Sequence, residues 1–403
     1  MKKLIALLLA VCLIGVAVVG YVTMNKEKQA ETPVESIVEP VPADPTAGEP
    51  AQQEPTEEAP LQVKTLDFES IYALHDPDET VLTIAGQEIP WRDYFYFYYS
   101  EASQMDQQFE LMQHYGYSMG WEDQADEEGH SYADLVPLYA EESLRQLITI
   151  ENVAEENGVT LSEEEEAALQ EQHQGNITRV CGEEATEEDF YEYLQSVYLR
   201  PELYWRMNRA NLLYQNSYRQ LYGENGELLT DEEALAYMEE QGLLSANHIL
   251  IATVDLTTGE ALAEGIVEEK TALAQQIAKE LQEIEEDEAR IARFLELKEQ
   301  YCEDGGDYVF GSGVMVPEFE EGTRALENYQ VSDPILTQYG YHIILRRPLD
   351  ADAEVVTSSG SGLTGRSMAA NVLFGERMQD YLDSLPVEPV NGFQAPVLMD
   401  YYG

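Results

Sequence analysis

The chain has 403 residues, 44% of them hydrophobic, with 78 Asp+Glu against 22 Lys+Arg and a formal net charge of -56. That length exceeds one ordinary core, so two or more domains are expected, and the apolar content is that of a globular protein, too high for a wholly disordered one. A surface this negative repels phosphate backbones and anionic lipid, which excludes nucleic acid as a partner and leaves any membrane contact to an apolar anchor.

Lys2 and Lys3 precede an apolar run from Leu4 to Met24. About 20 apolar residues suffice to cross a bilayer, whereas a cleavable signal peptide has a shorter apolar core and a small-residue cleavage site. Residues 1–24 therefore predict an uncleaved signal-anchor in the cell membrane, with the body on the extracytoplasmic side. Leu9-Ala10-Val11-Cys12 resembles a lipoprotein box, but half the apolar run still follows Cys12, which argues against lipidation there. Residues 25–64 are rich in Pro, Glu, Ala and Thr and carry no apolar period, so they read as an extended, self-repelling tether.

The body begins near Thr65. Val81 to Ile84 followed by Gly86 reads as a strand and turn. Pro90 then opens a helix with Trp91, Tyr94, Phe95, Tyr98 and Tyr99 at helical spacing, a stripe that reads as core. Leu144, Leu147, Ile148 and Val153 mark a further helix, which Asn157-Gly158 stops. Ser162 with Glu165 and Thr230 with Glu233 form capping boxes, and Thr186 caps a helix striped by Phe190, Tyr193 and Leu194. Residues 65–242 thus predict a helical domain with no catalytic constellation; its His114, His130 and His173 lie in polar surroundings and read as solvated.

The composition then changes. Asn247 to Ile251 is a β-rich run, and a polar loop follows from Thr253 to Ile266. One helix carries Leu273, Ile277 and Leu281, and a second carries Phe294, Leu297 and Tyr301. A glycine-rich loop holds Gly305, Gly306, Gly311 and Gly313; a short amphipathic turn holds Met315 and Phe319; Tyr341 to Leu345 is a strand. This order predicts a small α+β unit at 243–350. In the tail, 351–403, a Ser/Gly loop precedes a helix from Arg366 to Leu385 that is expected to pack back on the helical domain. No CxxC or Cys/His pattern suggests zinc and no loop has EF-hand ligands, so neither a metal nor a cofactor is expected. Cys181 and Cys302 could close a disulfide in an oxidising compartment, although nothing in the sequence requires it.

Two histidines open near-identical apolar runs, His248 in HILI and His342 in HIIL. A polar residue beside such a run must face a partner or a cleft. Taken singly, each reads as a core histidine hydrogen-bonded to backbone; the pair, and what lies between, changes that reading. NHILI, a helix pair, YCEDGG, FGSGVMVPEFEEG and YGYHIIL, in this order and spacing, resemble a parvulin-type prolyl isomerase domain over about residues 243 to 348.

The resemblance implies a small antiparallel sheet with helices, inserted between segments of a mainly helical chaperone domain. It implies that His248 and His342 face one another beneath a bound proline, with Asp304 at the floor and Cys302 an off-register neighbour. Met315 and Phe319 would form the apolar pocket, Val316 takes the place of a frequent pocket Gln, and Tyr339 falls on a position before the last strand. Asp307 to Gly311 and Glu327 to Ser332 depart from the family's usual turns, and no basic cluster follows His248, so selectivity for phosphorylated Ser/Thr-Pro is not expected. The flanks LTIAGQEI and NGVTLSEEE further resemble exported bacterial foldases. The implied activity is peptidyl-prolyl cis/trans isomerisation combined with chaperoning. The implied partners are unfolded or partly folded exported polypeptides with X–Pro bonds. A parvulin-shaped chaperone that has lost activity is the alternative, and an acidic surface interaction protein is a third. Hydrolase chemistry is disfavoured: no GxSxG occurs, and Cys302 has no evident base.

Overall fold

The computed structural model describes residues 65–357 and 362–403; the anchor and tether expected at 1–24 and 25–64, Cys12 included, lie outside the described residues. No helix among the described residues is long and apolar enough to cross a membrane. The class is α+β, and the chain divides into two compact units, one running to Ser217 and resuming at Arg377–Gly403, the other spanning Tyr218–Glu376.

In the first unit, helix α1 (Phe68–Tyr72) precedes the hairpin of β1 (Thr80–Ile84) and β2 (Gln87–Pro90), and the tail strand Val387–Pro389 pairs with the other edge of β1. Helices α2 (Trp91–His114), α3 (Tyr132–Glu156), α4 (Glu163–Cys181), α5 (Glu187–Ser196) and α6 (Pro201–Tyr222) follow. Their starts are chemical: Ser131, Ser162 and Thr186 each accept from the backbone three residues on while that residue's carboxylate returns the bond. Gly158, at φ +66°, ends α3. Trp91, Tyr94, Phe95 and Tyr98 are buried, so the aromatic stripe is core. Beside them the buried carboxylate of Asp93 accepts two bonds from Arg200, at 2.6 and 2.7 Å. Two bonds tie the tail helix to α3: Arg145 donates to Leu382 O at 2.7 Å, and Tyr381 donates to Glu156 at 2.8 Å.

One expectation fails here. His173 is not solvated: it is buried against Phe190, Tyr204 and Trp205, within 3.3 Å of the Tyr204 hydroxyl and the Glu187 carboxylate. Its chain neighbours are polar, but its helical neighbours Leu169, Asn176 and Ile177 turn the same face inward. His130 is half-exposed and bonds Asp126 at 2.6 Å, and His114 is exposed.

The second unit opens with α7 (Asp231–Glu240), capped by Thr230 and Glu233, then β3 (Leu244–Ala252), α8 (Glu264–Gln282), α9 (Asp287–Tyr301) and β4 (Asp307–Phe310). It continues with α10 (Pro317–Arg324), β5 (Ile335–Leu336), β6 (Gly340–Arg347), β7 (Val355–Val356) and the first half of α11 (Gly365–Ser384). The sheet order is β5-β6-β3-β4-β7, antiparallel except where β7 runs parallel to β4. Strand β4 falls inside the segment read as a glycine loop: Tyr308-Val309-Phe310 pairs with Leu244 to Ala246. β-favouring residues outweigh the flanking glycines once a partner strand is present.

The central register pairs His248 with Ile344 and Leu250 with His342. Side chains alternate across a strand, so His248, His342 and Ile344 share one face while Ile249, Ile251, Ile343 and Leu345 share the other. The second set packs on Ala274, Ile277, Ala278 and Leu281 of α8 and on Phe294 and Leu297 of α9. On the histidine face, Leu244, Ala246 and Ile344 pack with Phe310 and Phe319. Gly340 holds φ +143°, and a Cβ there would lie 2.4 Å from Ile251 O, so only glycine lets β6 start beside β3. Cys302 carries a free thiol, so no bridge to Cys181 is formed.

Candidate active site

The register places His248 and His342 two residues apart on adjacent strands and on one face, so their rings meet. The rings stack at 5.2 Å with 14° between planes, and the two Nδ1 atoms lie 3.1 Å apart. Both residues are buried, at 1% and 5% exposure. At 3.1 Å one Nδ1 donates and the other accepts, so the pair cannot both be protonated without losing that bond. Burial pushes the pKa of His248 down to about 4 against a weaker upward pull from Asp304. Burial, then the neighbouring His248, pushes that of His342 down to about 4. Near neutral pH both rings are neutral.

The outer ring atoms extend the chain of contacts. His342 Nε2 lies 3.1 Å from Thr337 Oγ1, which accepts from Tyr339 N–H at 3.2 Å. His248 Nε2 is buried without a hydrogen-bond partner, with Asp304 Oδ2 3.7 Å away. One direction of donors satisfies most groups. The Thr337 hydroxyl donates to His342 Nε2, His342 Nδ1–H donates to His248 Nδ1, and His248 Nε2–H points at the Asp304 carboxylate. The reverse direction would aim a lone pair at a carboxylate and leave the Thr337 hydroxyl only Gly340 O, at 3.4 Å. The carboxylate therefore sets the tautomer of both rings.

Phe319, from α10, stands edge-on to both rings, 5.4 Å from His248 at 87° and 5.3 Å from His342 at 76°. Tyr308, from β4, lies 5.3 Å from His248 and 6.4 Å from Phe319, and its hydroxyl is 3.3 Å from Asp304 Oδ2. Burial and the Asp304 carboxylate raise the Tyr308 pKa to about 12, so the phenol is neutral and can donate to that carboxylate. A Cβ on Gly306 would fall 1.8 Å from the Tyr308 hydroxyl; the glycine makes room for this ring. Met315 and Val316 are half-buried against the same cluster. The result is an apolar cup with two neutral imidazoles beneath it and one carboxylate at its edge.

His248, Asp304, His342, Met315, Val316 and Phe319 are thus brought together. Tyr339 contributes its backbone N–H to Thr337, while its side chain stands 44% exposed on the turn before β6. Cys302 faces away from the cup: its sulfur accepts from Leu250 N–H at 3.3 Å. Sequence reasoning missed Thr337 and Tyr308. The Tyr-Val-Phe run was a readable strand signal for Tyr308; Thr337 carries no local signal.

These features define a class. Residues 248–347 match the PPIC-type PPIase (rotamase) domain, a parvulin-type domain, and the likeness covers about a quarter of the chain. The particular relatives are foldases. The foldase protein PrsA of Caldanaerobacter subterraneus is 35% identical over 121 residues, 29% of this chain and 34% of that protein. PrsA of Oceanobacillus iheyensis is 26% identical over 220 residues, 53% of this chain and 61% of that protein. The match therefore spans between a third and three-fifths of the length of these relatives. Among solved structures, PrsA from Bacillus subtilis is 20% identical with a TM-score of 0.22, covering 66% of this chain and 91% of that one.

Proposed function

We propose that this chain is a parvulin-type peptidyl-prolyl cis/trans isomerase and chaperone that assists folding of exported proteins. The observation that carries the reading is the hydrogen-bonded, buried, neutral histidine pair beneath a cup edged by Phe319. An X–Pro bond isomerises over a barrier of about 20 kcal/mol because the planar amide must give up resonance. No covalent bond to substrate is needed; the catalyst has only to bind the twisted amide better than either planar form.

The residues divide that work. Met315, Val316, Phe319 and the ring of Tyr308 hold the pyrrolidine and exclude water, which solvates the polar planar amide better than the twisted one. His248 and His342, kept neutral, give the ring an uncharged floor. Asp304 fixes their tautomers and sets the field near the carbonyl, and Thr337 orients His342. Tyr339, at the rim, contacts the flanking peptide. The run Leu4 to Met24 anchors the chain, residues 25–64 give reach, and the body works on the extracytoplasmic side on unfolded or partly folded clients. The name foldase borne by the PrsA relatives supports this assignment.

The test is protease-coupled isomerisation of Ala-X-Pro peptides with X varied. A rate above the uncatalysed background for at least one X is expected. Background rates for every X, beside retained suppression of client aggregation, would replace the isomerase with a holding chaperone of parvulin shape.

A further inference from the structure

The cup wall that carries Met315 is a loop with no side-chain cap of its own. Helix α10 starts at Pro317, and its N-cap, Val316, is apolar and makes no capping hydrogen bond. The three backbone N–H groups before it are instead gathered by one side chain. Glu320, 8% exposed, accepts from Gly313 N–H at 3.1 Å through Oε2, and from Val314 and Met315 N–H at 2.9 Å each through Oε1. Gly313, at φ +80°, supplies the bend that turns its own N–H toward the carboxylate. A buried carboxylate is costly unless its oxygens are satisfied, and here three converging donors and the positive end of α10 repay that cost.

Glu320 and Phe319 are consecutive on α10, so one helical turn both sets the Phe319 ring edge-on to the histidines and grips the loop that carries Met315. We propose that Glu320 is a positioning residue of the proline cup: its carboxylate, through the 313–315 backbone, sets where Met315 stands relative to Phe319 and so governs how tightly the pyrrolidine is held. The proposal rests on the isomerase reading for its consequence, and on the three bonds alone for its structural part. Glu320 touches neither histidine pair nor substrate; it acts through Met315.

The chemistry predicts which substitution tells. Glutamine has the right shape but one acceptor oxygen, so in Glu320→Gln an amide NH2 must face Gly313 N–H, donor against donor. Loosening the wall weakens the hold on the ring in planar and twisted states alike and also admits water, so KM rises about tenfold while kcat falls by a smaller factor. A general unfolding would instead lower apparent kcat and leave KM unchanged. The experiment measures kcat and KM for wild type, Glu320→Gln, Met315→Ala and the double variant, with amide hydrogen exchange at residues 313–315. Exchange there should quicken at least tenfold in Glu320→Gln while Ile249 and Ile343 in the strands stay protected. In the Met315→Ala background the Glu320→Gln effect on KM should vanish.

Additive effects in the double variant, or unchanged KM in a folded Glu320→Gln, overturn the proposal, as does unchanged exchange at 313–315. If the wild type itself shows no rate, the isomerase reading is what has failed, and the exchange arm still decides whether Glu320 holds the loop.

Discussion

The buried histidine pair makes the second unit sensitive to mild acid, and the sign follows from the two pKa values. In the unfolded chain a histidine titrates near 6.5; in the fold both sit at about 4. Between those values the unfolded state binds more protons, so stability is complete above about pH 6.5 and falls as pH drops toward 4. At pH 5 the differential proton uptake amounts to about 2 kcal/mol per histidine, about 4 kcal/mol for the pair. Because the chain has two units, one global melting curve would mix transitions. The suitable assay is amide hydrogen exchange at Ile249 and Ile343, corrected for intrinsic rates, which reports the opening free energy of β3 and β6. A drop of roughly 2–4 kcal/mol from pH 7 to pH 5 is expected. An imidazole proton titrating with its midpoint near 6.5, or an opening free energy flat over this window, would refute the reasoning.

Three substitutions probe separate parts of the account. Thr337→Val keeps the shape but removes the group bonded to His342 Nε2, which should cost about 1–3 kcal/mol and lower kcat/KM, with Thr337→Ser restoring both; equal activity in the Val and Ser variants would contradict the assigned tautomers. Gly340→Ala forces a side chain into Ile251 O at a positive φ, so β6 should fail to dock on β3 and strand amides should lose protection; normal protection would show that the turn accommodates a Cβ. Asp93→Asn leaves Arg200 beside an amide in the first unit and should destabilise that unit by about 3 kcal/mol in chemical denaturation, with peptide isomerisation unchanged below the transition; an equal loss of isomerase rate would mean the two functions are not separable.

What the sequence revealed was what depends on neighbours in the chain. Ser162 with Glu165 and Thr230 with Glu233 close their capping boxes as read, because both partners lie within one helical turn. The histidine pair stood out because both residues open near-identical apolar runs, and the resemblance to a parvulin-type domain implied that they face one another. Three residues needed the third dimension. Thr337 reaches His342 only through the turn before β6, and Glu320 meets the 313–315 loop only because α10 folds back over it. His173 was misread because its immediate neighbours Gln172 and Gln174 are polar while its helical face is not. Strand β4 was hidden by the glycines on either side, although Tyr308-Val309-Phe310 already carried a β signal.

On the proposed function, the neutral histidine pair under the cup catalyses prolyl isomerisation. The most direct test is the catalysed rate on the best Ala-X-Pro peptide for wild type and for His248→Ala/His342→Ala, each shown to be folded by circular dichroism. A clear wild-type rate is expected, with at least a hundredfold loss of kcat/KM, about 2.7 kcal/mol of transition-state stabilisation, in the folded double variant. A folded double variant that keeps the wild-type rate would contradict that reading.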